Sequence, residues 1–172
     1  SKLQNGSDIR GLAIGSNTEA INIDSEAVSR LAKGFLYLLS HNTEKEPHEL
    51  CIAVGRDSRI SGPDLVRDIV AALIPYGTTV LDSGLSSTPA MFMSTVFEEF
   101  KCDGAIMVTA SHMPSDRNGM KFFDMDGGLD KGDIADIITF AESNSVLGRL
   151  SPGTASEPIK VNLMDVYSAH LR

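Results

Sequence analysis

One stretch concentrates the residue types that could do chemistry: Thr109-Ala110-Ser111-His112-Met113-Pro114-Ser115-Asp116-Arg117-Asn118-Gly119-Met120-Lys121. An adjacent Ser-His pair invites a hydrolase reading. Neighbouring residues of an extended segment point to opposite faces, so His112 is badly placed as a base for Ser111. No G-x-S-x-G elbow surrounds the serine either. The same residues suit phosphoryl transfer better. A phosphoserine brings about two negative charges and three acceptor oxygens, so it needs a metal ion or basic groups to hold it. Lys121, Arg10 and Arg56 are the cations that neighbouring strand ends could bring. Residue types alone leave a plainer reading open, in which Ser111 turns the loop and His112 caps a strand.

Positioning such a loop is the work of the elements around it. Gly104-Ala105-Ile106-Met107-Val108 reads as a strand buried on both faces, and it runs straight into the Ser111 loop. Open α/β sheets place ligands at such carboxyl ends. A glycine-bounded strand near Leu12, another at Leu50-Cys51-Ile52-Ala53-Val54 and a third at Thr78-Thr79-Val80-Leu81 precede it. The spacing of Val28, Leu31, Ala32, Phe35, Leu36 and Leu39 predicts a helix from Asp24 or Ser25 to about Ser40. Ser61, Pro63 and Asp64 open a second helix with Ser61 as N-cap, and Gly77 stops it. Thr88-Pro89 starts a Met- and Phe-rich helix reaching about Phe100, whose Met91, Phe92, Met93, Phe97 and Phe100 pack the core. Gly119-Met120-Lys121-Phe122-Phe123 is a further strand, and a last helix covers 131–143. Strands alternating with helices predict a three-layer α/β/α domain with a mixed, mostly parallel sheet. The strand after the Ser111 loop is free to run antiparallel, because its connection is short.

Composition narrows the class. The chain has 172 residues, 42% hydrophobic and 22% charged, enough to bury a core. A formal charge of −8 disfavours nucleic-acid or anionic-membrane partners, which require clustered positive charge. A small anionic ligand needs only a local basic site and stays allowed. No apolar run approaches the ~20 residues that span a bilayer, and no signal-peptide core opens the chain, so the expected location is the cytoplasm. Cys51 and Cys102 read as core thiols without chemistry, and His41, His48 and His170 have no metal-ligand spacing. Arg56, Asp57 and Arg59 read as ion pairs at a strand end. Asp124-Met125-Asp126-Gly127-Gly128 reads as a hairpin turn; as a calcium loop it has Ala135 where the bidentate Glu belongs.

Taken together, the motifs resemble the α-D-phosphohexomutases, the family of phosphoglucomutase, phosphomannomutase and phosphoglucosamine mutase. Thr109-Ala110-Ser111-His112-x-Pro114 with Asn118-Gly119-x-Lys121 is similar to the family's active-site serine loop. Asp8-Ile9-Arg10-Gly11 resembles its N-terminal arginine loop, and Val54-Gly55-Arg56-Asp57-x-Arg59-x-Ser61 and Gly84-Leu85 to Thr88-Pro89 fall in the matching order. One departure is Met113, where the family commonly has Asn.

The resemblance implies roles. Ser111 would carry a phosphoryl group, pass it to the substrate to form a bisphosphosugar, and recover the other phosphoryl. Lys121 would be the general acid/base, with Arg10 and His112 stabilising charge, and Arg10, Asn118 and Lys121 binding substrate. The Ser111 phosphate would be one ligand of Mg²⁺, the cofactor, with a hexose 1,6-bisphosphate as activator. The reaction implied interconverts hexose 1-phosphate and hexose 6-phosphate, of glucose or mannose, with glucosamine phosphate as an alternative. A non-catalytic sugar-phosphate-binding or regulatory domain is the alternative of another class. The family's Asp-rich Mg²⁺ loop, its sugar-specificity loop and its carboxyl-terminal phosphate site find no counterpart among these residues. Residues 1–144 are therefore expected to be the phosphoserine domain and 145–160 an interdomain linker. Residues 161–172 would begin a second domain, and the remaining domains of the same polypeptide would be the chain's partners. Alone, the 172 residues are expected to lack mutase activity.

Overall fold

The computed structural model describes residues 3–172. In chain order the elements begin with β1 (Gln4–Asn5), β2 (Asp8–Leu12), α1 (Ser25–Thr43), β3 (Cys51–Arg56) and α2 (Gly62–Leu73). They continue with β4 (Thr79–Leu85), α3 (Thr88–Met93), β5 (Gly104–Val108), β6 (Arg117–Asp124), β7 (Gly127–Gly128) and α4 (Lys131–Glu142). The short α5 (Asn144–Leu147), β8 (Ile159–Lys160) and α6 (Leu163–His170) follow. Among the described residues the strands form one sheet in the order β1-β2-β6-β5-β3-β4-β8, with β7 also on β6. β5, β3, β4 and β8 are parallel neighbours. β6 is antiparallel to both β5 and β2. The sheet is mixed and the fold is α/β, as the alternation of elements predicts.

Strand alternation divides the core. Ile52, Val54, Val80, Ile106, Val108, Met120 and Phe122 meet the apolar stripes of α1, α2 and α4 in one cluster. Their neighbours Ala53, Leu81, Ala105, Met107 and Phe123 face the other way, against Ala90, Met91 and Leu163. Two-residue periodicity on the strands and helical periodicity above them thus produce three layers. In α1, Phe35, Leu36 and Leu39 are buried, each worth roughly 1.5–3 kcal/mol relative to exposure. Asp24 sets where that helix starts, its Oδ1 accepting the Ala27 N–H at 2.8 Å, a cap worth ~1 kcal/mol.

Three local expectations change. The helix from Thr88 ends at Met93 instead of Phe100. Ser94 Oγ donates to the Met91 carbonyl at 2.6 Å and Thr95 Oγ1 to the Phe92 carbonyl at 2.8 Å. Such back-bonding competes with the helical ladder, and the chain continues as turns. Phe92, Phe97 and Phe100 nevertheless pack against the second cluster, as expected of core residues. Ser61 occupies the N-cap position of α2 without making a side-chain cap bond; its hydroxyl is used elsewhere, as shown below. Residues 159–172, finally, return to the sheet. β8 pairs in parallel with β4 through Leu81↔Ile159 and Asp82↔Lys160. Behind it α6 buries Leu163 beneath the α3 side of the sheet, with Met164 and Tyr167 packed alongside.

Candidate active site

The site lies where β5 and β3 end and β6 begins. β5 runs out at Val108 beside Arg56, the last residue of β3. The loop after β5 returns as β6, so the first residues of β6 sit at the same edge. Ser111 is exposed on that loop and has a positive φ of 53°. A left-handed serine costs about 1–2 kcal/mol relative to an ordinary conformation, so something must hold it there.

Arg59 does the holding. Its Nη2 donates to the Ser111 carbonyl and to the Met113 carbonyl, both at 2.8 Å. Its Nη1 donates to Pro114 at 2.6 Å and to Arg117 at 3.0 Å. A planar guanidinium with five donors is suited to gather carbonyls this way, whereas an ammonium is not. Asp57 steers it: Oδ2 lies 3.4 Å from Arg59 Nε. The same Oδ2 accepts from Thr109 Oγ1 at 2.7 Å, and Thr109 Oγ1 accepts the Ser111 N–H at 3.1 Å. The loop is therefore tied to β3 on both sides of Ser111. Arg59, Asp57 and Thr109 went unassigned as functional residues in the sequence. The ion pair expected of Asp57 and Arg59 forms, but its principal contact is with loop carbonyls, which no spacing rule reveals.

On the other side of Ser111, β2 and β6 supply charge. Asp8 and Arg10 are two residues apart on one strand and so share a face. Register pairs Arg10 with Gly119 and Ile9 with Met120, which brings Asp8 opposite Lys121. Arg10 Nη2 donates to Asp8 Oδ2 at 2.8 Å and to Ser111 Oγ at 3.2 Å, while Nη1 donates to the Ala110 carbonyl at 2.8 Å. Lys121 Nζ donates to both Asp8 oxygens at 2.8 Å. Side chains of Asp8 and Arg10 are only 13% and 11% exposed, so this pairing is sheltered from solvent. Gly119 makes room for the crossing. A Cβ there would strike the Ile9 carbonyl oxygen, and would lie 2.9 Å from the Thr109 oxygen and 3.2 Å from Arg10 Cγ. Two cations sharing one carboxylate leave the Ser111 side net positive, the environment a phosphoryl group requires.

The other expected residues divide. His112 is exposed and makes no hydrogen bond or ion pair among the described residues. Asn118, expected at the substrate, is fully buried. Its Nδ2 donates to Ser61 Oγ at 2.8 Å and its Oδ1 accepts the Gly119 N–H at 2.9 Å. Its Nδ2 thus ties the start of α2 to β6, while its Oδ1 is taken by the next residue of its own strand. Arg56 turns away, donating to the Asp57 carbonyl at 3.1 Å and lining a separate concavity with Pro63, Asp82 and Lys160. Met113 contributes its carbonyl to Arg59, so replacing the family's Asn leaves that contact intact. Its side chain lines an open concavity of about 370 Å³ with Ser58, Ile60, Ser111 and Ser115. Asp124 Oδ1 accepts the N–H groups of Asp126 and Gly127 at 2.8 and 3.1 Å, closing a hairpin turn.

Residues 1–145 match the model of the family described as phosphoglucomutase/phosphomannomutase, alpha/beta/alpha domain I. The chain belongs to this family. Among its relatives is a phosphoglucosamine mutase of Staphylococcus saprophyticus, 40% identical over 120 residues, covering 69% of this chain and 24% of that protein. A phosphomannomutase/phosphoglucomutase of Pseudomonas aeruginosa is 42% identical over 73 residues, or 42% of this chain and 15% of its own length. The X-ray structure of a phosphoglucomutase/phosphomannomutase family protein from Burkholderia thailandensis superposes with a TM-score of 0.74 at 24% identity. That match covers 94% of this chain and 33% of the other, and bears on the fold alone. The chain thus spans about a quarter or less of the curated phosphohexomutases it matches here. Among the described residues, no helix is long and apolar enough to cross a membrane.

Proposed function

We propose that this chain is the phosphoryl-carrying domain of a hexose-phosphate mutase, with Ser111 as the carrier. The observation that carries the reading is Ser111 itself: a serine held at positive φ on a strand-end loop, its Oγ 3.2 Å from Arg10 Nη2. In the proposed cycle, phospho-Ser111 gives its phosphoryl to a hydroxyl of the hexose monophosphate. The Oγ–P bond breaks and a sugar O–P bond forms, producing a bisphosphosugar. After the intermediate reorients, Ser111 takes the other phosphoryl back by the reverse exchange. Lys121 would move the proton of the reacting sugar hydroxyl at Nζ, the atom now shared with Asp8. Arg10 would neutralise the phosphoryl oxygens, since phosphoryl transfer is chiefly positioning and charge stabilisation. His112, exposed beside the carrier, is placed in the proposal as a further donor to the phosphoryl group or substrate. Asn118 acts by joining α2 to β6 and not by touching substrate.

The donor set fits Mg²⁺ at one position only. A phosphate on Ser111 would be a ligand, whereas Asp8 and Asp57 are already committed to cations, so the remaining ligands are expected outside these residues. When bound, the ion would spread and neutralise phosphoryl charge. In the proposal 1–144 are the phosphoserine domain, with β8 and α6 added at the edge of its sheet, and further domains of the same polypeptide complete the site.

Relatives named for three different sugars leave the choice among glucose, mannose and glucosamine phosphates to the assay. The test is turnover by the whole polypeptide of its reading frame with the 1-phosphates of glucose, mannose and glucosamine, Mg²⁺ and a hexose 1,6-bisphosphate. Conversion of at least one to its 6-phosphate, lost in Ser111→Ala, is expected. Turnover undiminished in Ser111→Ala would overturn the assignment.

A further inference from the structure

The end of the sheet remote from Ser111 holds a second reactive arrangement. Cys51 opens β3, and Cys102 lies just before β5. The two segments are bonded to each other: Asp103 N–H donates to the Cys51 carbonyl at 2.9 Å, and Cys51 N–H donates to Asp103 Oδ2 at 2.9 Å. Asp103 Oδ1 in turn receives Lys45 Nζ at 2.6 Å. Within this frame the two sulfurs are 3.4 Å apart. Both thiols are free; Cys102 is buried and Cys51 only partly so. In the sequence they read as separate core thiols, because they stand 51 positions apart.

We propose that Cys51 and Cys102 form a thiol-oxidation site, converted by a hydroperoxide into an intrachain disulfide that a dithiol reverses. The two residues sit at adjoining strand starts, one position out of register since Ile52 pairs with Gly104, and their side chains already meet at the sulfurs. The sulfurs need only approach from hydrogen-bond contact to about 2.05 Å. Cys51 is the residue an oxidant meets. The hydrogen bond shared with Cys102 pulls the Cys51 thiol below its ordinary pKa, against burial and the Asp103 charge, with Lys45 assisting. The same bond and burial push Cys102 up.

The chemistry balances as two ordinary steps. Cys51 thiolate attacks a peroxide oxygen; the S–O bond forms, the O–O bond breaks, and hydroxide leaves to take a proton, giving a sulfenic acid and water. The Cys102 sulfur then attacks Cys51; the S–S bond forms, the S–O bond breaks, and the departing hydroxide takes the Cys102 proton as a second water. Two electrons pass from the thiols to the peroxide. The length of β3 and β5 separates the pair from the Ser111 loop, so this site stands whether or not the mutase reading does.

The test exposes the folded 172-residue chain to hydrogen peroxide and counts thiols, with non-reducing peptide mapping and circular dichroism on the same samples. Both thiols should disappear together while the native spectrum persists. The map should join the Cys51 and Cys102 peptides with loss of two hydrogens, and dithiothreitol should restore both. In Cys102→Ser, Cys51 should accumulate as a sulfenic acid trapped by dimedone; in Cys51→Ser, Cys102 should stay reduced. Thiols that survive peroxide, a link between chains, a bond that appears only after the native spectrum is lost, or Cys51 passing to sulfinic acid without joining Cys102 would each overturn the proposal.

Discussion

Ser111 shows how a single residue can be held against its own preference. Its φ of 53° is unfavourable for any residue with a Cβ, and the Arg59 contacts to its carbonyl and to those just beyond hold it there. Glycine would relieve the strain at ~1–2 kcal/mol while adding roughly 0.5–1 kcal/mol of unfolded-state entropy. Ser111→Gly should therefore be unchanged in urea stability or gain up to about 1.5 kcal/mol, while losing all phosphoryl acceptance. A loss of stability beyond that range would mean the hydroxyl contributes more to the fold than its single Arg10 contact explains. Ser111, Arg10 and Lys121 could be singled out in the sequence because the motifs carrying them are local, and Arg10 links the serine hydroxyl to the carboxylate that holds Lys121. Asp8 was not legible as the shared anion, because that role exists only once the β2–β6 register sets it against Lys121. Asn118, expected at the substrate, is found buried against a partner the sequence does not reveal. A polar residue in an active-site motif looks available until the partner that consumes it, Ser61, arrives from a distant helix start.

At the scale of elements, the ends of β3 and β5, the start of β6 and the loop between them make the site, and Arg59 joins them. The chain from Asp57 through Thr109 to the Ser111 amide and the four loop carbonyls around Arg59 form one network. Lysine at 59 keeps the charge but cannot reach four acceptors with one ammonium. Arg59→Lys should lose about 2–3 kcal/mol of stability, the order of one or two charge-assisted hydrogen bonds. It should also speed amide exchange across residues 111–117 and lower kcat more than it raises KM. A variant within ~0.5 kcal/mol of the parent, with unchanged exchange in the loop, would show that Arg59 does not hold it. Helices and strands were legible here from periodicity, and β5 came out at its expected bounds. Where prediction erred, side chains had competed for backbone groups, as Ser94 and Thr95 do after α3.

For the whole molecule, the sheet explains both what was visible and what was hidden. Alternation along the strands fixed the three layers. A Gly-, Ser- and Pro-rich stretch after residue 145 carried no periodicity, so nothing in it announced that β8 would add to β4 or that α6 would bury Leu163. Long-range return of a segment to a sheet edge depends on register and on an uncovered apolar surface, neither of which is a local property. The −8 charge likewise concealed a basic site, because net charge averages over a surface while Arg10 and Lys121 gather beside one serine. The proposed reaction turns on one transfer, of a phosphoryl group on Ser111 from one substrate molecule to the next. Its most direct measurement is intact mass and peptide mapping of the whole polypeptide after incubation with a hexose 1,6-bisphosphate and Mg²⁺. One phosphate should appear on Ser111, leave when the matching hexose 1-phosphate is added, and be recovered on the sugar. Phosphate on another residue, or turnover with Ser111 unmodified throughout, would contradict it.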